Sequence, residues 1–263
     1  YIAIVSQPRA PKCDIEPDLQ KLVEDDSRGG RLTLYNTANG SATTLTSGTG
    51  NSSVSGVSWV SNNRIIFNTS PTNSSAKSID AYALWGMNID GSKKKKLFTL
   101  KQVQGRLASP RLTSLLPDEP SYVMVAINDR RGAVEDYYRL NIFTGSKRRV
   151  AMGPDIDNEE ALFDVIEKND GTPLAALGNL GDEWRIWRYY DAEDSWDVHF
   201  TSKCQTPTFF PLSGYEDKWL VSGQDITKSK TFNNDNDRSK LYLYDPDERS
   251  FELLYEDDTY DVG

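Results

Sequence analysis

Leu241-Tyr242-Leu243-Tyr244-Asp245-Pro246-Asp247-Glu248, followed by Phe251-Glu252-Leu253-Leu254-Tyr255, reads as a β-hairpin. Its first strand is apolar on both faces, the pattern of a strand covered on both sides rather than half-exposed. Proline behind an acidic residue presets the backbone for a tight reversal, so Asp245 to Glu248 is the turn. The same arrangement occurs four more times upstream. Leu32-Thr33-Leu34-Tyr35 runs into Asn36-Thr37-Ala38-Asn39-Gly40, and Tyr82-Ala83-Leu84-Trp85-Gly86-Met87 runs into Asn88-Ile89-Asp90-Gly91. Tyr137-Tyr138-Arg139-Leu140 meets Asn141-Ile142-Phe143-Thr144-Gly145, and the strand Trp184 to Tyr190 meets Asp191-Ala192-Glu193-Asp194.

Gly40, Gly91, Gly145, Asp194 and Glu248 mark these turns, at steps of 51, 54, 49 and 54 residues. A period of roughly 40 to 50 residues carrying four strands is the signature of a β-propeller blade. An immunoglobulin-type sandwich would show turn signals without such a register. The expectation is one all-β domain over residues 1–263, a β-propeller of four-stranded antiparallel blades. Residues 1–50 make a partial blade whose innermost strand is missing, 54–100, 108–151, 161–201 and 206–256 make full blades, and 257–263 begin another. About five blades with two unfinished ends would expose unpaired backbone. The expectation is therefore a piece of a larger ring, or a ring closed by strand exchange between its ends.

In an up-and-down blade, the loops after the second strand share one end with the blade-to-blade connections. The long segments 7–30, 69–81, 129–135 and 223–238 all fall there, and long loops on a rigid scaffold are where binding is concentrated. A formal charge of −9 argues against nucleic acid as a partner, because phosphate binding needs a basic stripe. No apolar run approaches the ~20 residues that span a bilayer. Tyr1 to Val5 is too short for a signal core and lacks a basic start, so it reads as a strand. Cys13 and Cys204 stand 191 residues apart, fit neither a zinc site nor a disulfide scaffold, and leave the compartment open between periplasm and cytoplasm.

No catalytic constellation is found in the chain. There is no Gly-x-Ser-x-Gly elbow, and the one histidine, His199, lies on an outer strand beside Trp196 and Phe200, which marks it as structural. No cofactor is expected, and a zinc site lacks ligands. Asp155 to Glu160 and Asn233 to Asp237 offer oxygens, but without the spacing of a calcium loop they read as solvated acidic loops. Lys93-Lys94-Lys95-Lys96 leads an outer strand, where lysine blocks sheet-to-sheet aggregation.

Asn128-Asp129-Arg130, then Glu135-Asp136-Tyr137-Tyr138, then Asn141-Ile142-Phe143-Thr144-Gly145 resembles the propeller of prolyl oligopeptidase family serine peptidases. Bacterial members of that family carry Asn-Asp-Arg, His-Asp-x-Tyr and Asn-x-x-Thr-Gly at this spacing, and Glu135 stands where the histidine is usual. Leu241 to Pro246 with Tyr260-Asp261-Val262 is similar to the family's last full blade and the strand after it. The resemblance covers residues 54–262. It implies a C-terminal α/β-hydrolase domain of the same polypeptide that carries the catalytic serine, aspartate and histidine, none of which this chain contains. The propeller would then gate the access of peptide substrates. Asp129, Arg130 and Arg131 are the expected polar contacts toward the hydrolase or the substrate. Glu159-Glu160 is an adjacent acidic pair that does not align with the family's amino-terminus clamp. The competing reading is a stand-alone protein-interaction propeller of the Tol-associated or WD-repeat kind.

Overall fold

The computed structural model describes residues 1–6, 30–47, 52–71, 83–99, 101–103, 106–108, 110–130, 134–156, 160–180, 183–202, 209–224, 238–257 and 259–262. Among these described residues twenty-one strands follow in order. The first sheet holds β1 (Ile2–Ser6), β2 (Arg31–Tyr35) and β3 (Ala42–Ser47). The second holds β4 (Ser52–Ser61), β5 (Arg64–Pro71), β6 (Ala83–Asn88) and β7 (Lys95–Thr99). A two-stranded hairpin of β8 (Lys101–Val103) and β9 (Arg106–Ala108) comes next. The third sheet holds β10 (Pro110–Leu115), β11 (Tyr122–Ile127), β12 (Asp136–Asn141) and β13 (Lys147–Ala151). The fourth holds β14 (Glu160–Glu167), β15 (Pro173–Leu180), β16 (Glu183–Tyr190) and β17 (Ser195–Ser202). The fifth holds β18 (Phe209–Tyr215), β19 (Lys218–Gly223), β20 (Lys240–Asp245) and β21 (Ser250–Tyr255).

Within each sheet the strands lie side by side in chain order, and the paired registers are antiparallel. Four consecutive four-stranded meanders, preceded by a three-stranded one, are the construction of a β-propeller, and that is the fold class. The Leu241 to Tyr255 hairpin is β20 and β21, with Tyr242 opposite Leu253 and Tyr244 opposite Phe251. Asp245 closes its turn by accepting the N–H groups of Asp247 and Glu248 at 3.0 and 3.1 Å. The hairpin β8–β9 has no counterpart in the sequence reading, which ran a plain connection there. Residues 257–263, read as the start of a further inner strand, hold no strand among their described members. Instead Val262 N–H donates to Ser239 O at 3.0 Å, and Asp261 accepts from Ser239 N–H at 2.8 Å.

Packing groups the chain into two compact units. One takes residues 1–110, 120–123 and 140–147, the other residues 111–119, 124–139 and 148–263. The core of the first is built on Leu32, Val54, Ile65, Phe67 and Met87, with Trp59 and Trp85 against it. The core of the second joins the fourth and fifth sheets through Ile166, Leu174, Leu177, Ile186, Phe209, Trp219, Val221, Tyr242 and Tyr244. Alternation explains it: on β20, Tyr242 and Tyr244 are buried while Leu241 and Leu243 are half-buried on the other face.

One contact in the first unit binds neighbouring sheets without any carboxylate. Arg64, at the start of β5, is 1% exposed. Its Nε and Nη2 donate to Ile142 O at 3.1 and 2.5 Å, and Nη1 donates to Asn88 Oδ1 at 2.8 Å. Phe143 lies against the guanidinium at 4.2 Å. The side chain reaches Ile142 by crossing Gly86 on β6, where a Cβ would stand 2.7 Å from both Nη2 and Ile142 O. A glycine inside an otherwise apolar strand marks such a close approach.

Candidate functional site

Asp129 and Arg130 follow β11 at the long-loop end of the third sheet, and both are half-buried. Arg131 lies outside the described residues. The carboxylate Asp136, which opens β12, is 0% exposed and organises the site. Arg130 Nε lies 2.7 Å from Asp136 Oδ1, and Arg149 Nη1, from β13, lies 3.7 Å from Oδ2. Oδ1 also accepts the Gly153 N–H at 3.0 Å, while Arg130 Nη2 donates to Gly153 O at 3.3 Å. Tyr138, two positions along β12, donates its hydroxyl to Asp129 Oδ1 at 2.8 Å.

The residue pairs are those of the sequence pattern. Arg130 of Asn-Asp-Arg closes on Asp136, and Asp129 closes on Tyr138. The two ends of the 129–135 loop are therefore stapled together, and the stretch 152–156 is held to the same point through Gly153. Burial raises the Asp136 pKa by more than Gly153 N–H and the two guanidinium groups lower it. Burial, then the bond to Asp129, raises the pKa of Tyr138, so its phenol stays a donor. Glu135, which occupies the histidine position of the family pattern, accepts a bond from Arg111 Nη2 at 2.7 Å.

A second polar feature joins β10 to β14. Thr113 donates to Glu167 Oε1 at 2.9 Å, and Glu167 Oε2 is buried with no hydrogen-bond partner. Burial pushes the Glu167 carboxyl up to about 7, against the opposing pull of Ser114, Thr113 and Arg111. Sequence reading named neither Asp136 nor Glu167 as central. The signal for Asp136 is an acid at the head of a strand whose next residue is an apolar-facing tyrosine. Glu167 meets a residue 54 positions earlier, about one repeat away, which a local pattern does not reveal.

His199 on β17 is bonded to Tyr244 Oη at 2.7 Å and packs edge-on against Trp219. Burial, then Arg249 and Arg188, lower its pKa to about 4. Among the described residues no three His, Cys, Asp or Glu side chains converge as for a metal ion. Glu159, Asn233 to Asp237, Cys13 and Cys204 lie outside the described residues. An open groove of about 330 Å³ is lined by Tyr1, Leu34, Leu45, Ile89 and Asp90, and among the described lining residues Asp90 is the one acid. Among the described residues no helix is long and apolar enough to cross a membrane.

No family model matches the chain, and no curated protein matches it. Solved structures do. The chain is similar to a structure from a study of two prolyl endopeptidases and their inter-domain dynamics, with a TM-score of 0.54 and 15% identity over 89% of this chain and 34% of that one. It is similar to an oligogalacturonate lyase in complex with manganese, with a TM-score of 0.49 and 13% identity over 90% of this chain and 62% of that one. A puromycin-hydrolyzing peptidase of Mycobacterium tuberculosis gives a TM-score of 0.48 and 10% identity over 86% and 36%. At these identities the likeness speaks to the fold alone. The chain spans about a third of the length of the two peptidases.

Proposed function

We propose that this chain is the non-catalytic propeller of a serine peptidase of the prolyl oligopeptidase family, gating the passage of peptide substrates to a C-terminal α/β-hydrolase domain. The observation that carries the reading is the pairing of the motif residues. The positions that give the resemblance, Asp129, Arg130, Asp136 and Tyr138, meet as one ion pair and one hydrogen bond across the two ends of one loop. A spacing shared by chance has no reason to fold into reciprocal contacts. The fold likeness to a prolyl endopeptidase over 34% of that chain is the proportion expected of a propeller within a larger enzyme.

The physical role follows from what the site lacks and what it holds. It offers no nucleophile paired with a base, so acyl transfer belongs to the hydrolase. The paired residues at the two ends of this loop would fix part of a rim, and a fixed rim excludes bulky substrates and water from a covered site. Arg130 keeps a side chain 34% exposed after its bonds to Asp136 and Gly153, leaving its outer edge for a carbonyl or carboxylate of the hydrolase or the peptide. Arg131 belongs to the same proposed contact by sequence.

The test uses the polypeptide encoded by this chain together with the reading frame that follows it. A fluorophosphonate probe should label one serine within a Gly-x-Ser-x-Gly elbow in the added part and none in residues 1–263. Arg130→Ala should raise KM for short peptides more than it lowers kcat. A frame without such an elbow, or labelling within the propeller, overturns the reading.

A further inference from the structure

The outermost strand of the second sheet, β7, pairs with β6 on one side, and among the described residues no strand covers its other edge. Lys93, Lys94, Lys95 and Lys96 lead into and open this strand, and all four are exposed. The chain as a whole carries −9, so this run is a local reversal of sign. Among the described residues none of the four makes an ion pair with a carboxylate. Asp90 acts on Lys93 at longer range.

The ammonium groups are also arranged. Lys94 and Lys96 each stand 5.2 Å from the centre of the Trp85 ring, which stacks on Phe67. Lys94 additionally donates to Thr46 Oγ1 at 2.9 Å. Two cations on one indole are held on the same face of the sheet, two residues apart, while Lys95 points to the other face. Blocking edge pairing accounts for Lys95 and Lys96, which lie in the strand. It does not account for Lys93 and Lys94, which precede it.

We propose that the β7 edge is a docking strand for an acidic polypeptide segment in extended conformation. In an extended strand alternate side chains repeat every ~6.8 Å, twice the rise per residue, which matches the two-residue spacing of Lys94 and Lys96. Backbone groups of the segment would complete the open edge, and its alternate carboxylates would oppose the lysines. The same lysines turn away a second copy of this edge, because identical charges would face each other. The edge is closed to neutral and basic strands and open to acidic ones, which is how a charged edge gains specificity.

The experiment is fluorescence anisotropy of the 263-residue chain with a labelled (Glu-Val)5 peptide, with (Lys-Val)5 as control. The expected result is saturable binding of the acidic peptide that falls with added salt. Lys94→Glu/Lys96→Glu should weaken it by about tenfold or more. Amide exchange over residues 95–99 should slow on binding. Lys94→Gln/Lys96→Gln should weaken binding in the same direction, and it serves if the charge reversal impairs folding. Three results would overturn the proposal: no saturable binding, equal binding by the glutamine variant, or binding without protection of β7. Equal affinity for heparin fragments or anionic vesicles would also overturn it, by reducing the edge to a general polyanion patch.

Discussion

Replacing Arg64 by methionine removes the clamp between β5 and the β12–β13 turn while keeping a long apolar side chain. The guanidinium gives Ile142 O its two side-chain bonds, at 3.1 and 2.5 Å, and Ile142 is fully buried. Leaving a buried carbonyl without those donors costs about 1–3 kcal/mol. Loss of the cation against Phe143 at 4.2 Å adds about 0.5–1 kcal/mol. Release of a buried charge that has no carboxylate partner offsets part of this, so the net expected loss is about 1–3 kcal/mol. Lysine keeps the charge but not the fork, and Arg64→Lys should fall between methionine and wild type. Urea unfolding followed by tryptophan fluorescence reads the change as a midpoint shift of roughly 0.3–1 M, taking a slope of about 3 kcal/mol per molar. Gly86→Ala supplies the internal check, since its Cβ would strike both Nη2 and Ile142 O. With Arg64→Met one of those two clashes is gone, so the double variant should lose less than the sum of the singles. Strict additivity, or a loss below about 0.5 kcal/mol for Arg64→Met, would refute the clamp.

Three further outcomes are expected. Glu167 has a carboxyl raised to about 7, so its contribution is fully present below the ordinary carboxylate range and is lost as pH rises through 7. Glu167→Gln should therefore flatten the fall in stability between about pH 4.5 and 7 and gain about 1–3 kcal/mol at pH 8, read as melting temperature against pH. His199 has its pKa lowered to about 4, so the stability it contributes is present above its ordinary pKa of 6.5 and is lost as pH falls toward 4. Allowing for its partial exposure, replacing His199 by glutamine should remove about 1–2 kcal/mol of that acid sensitivity, measured by the same pH series. Asp136→Asn keeps the shape but leaves two arginines on a neutral group. It should speed amide exchange at residues 152–156, and wild-type exchange there would contradict the staple.

Much of the fold could be read from local chemistry, because a blade repeats a pattern that each strand carries by itself. The aromatic run Trp184 to Tyr190 forms β16, which begins one residue earlier at Glu183, and the acidic turn after it closes with Asp194 in the left-handed region at φ 47°. The Asn-x-x-Thr-Gly turn is equally local: Asn141 accepts from Phe143 and Thr144 N–H, and Gly145 takes φ 77°. Residues 101–108 were not legible, because two three-residue strands are too short to set up an alternation. The candidate site was half legible. Asp129 and Arg130 were named for their place on a long loop, whereas the structure ties them inward to Tyr138 and Asp136. Such partners are chosen by burial, which the sequence does not state. Arg64 was read as part of a strand, yet its work is done on a carbonyl 78 residues away. Gly86 was the visible trace of it.

The most direct test of the gating account compares the longer polypeptide, hydrolase included, with the same polypeptide lacking residues 1–263. The intact enzyme should cleave short proline- or alanine-containing peptides and leave a denatured protein of ordinary length uncut, while the shortened one loses that discrimination. Equal size selectivity in the two, or turnover of the short peptides by residues 1–263 alone, would contradict it.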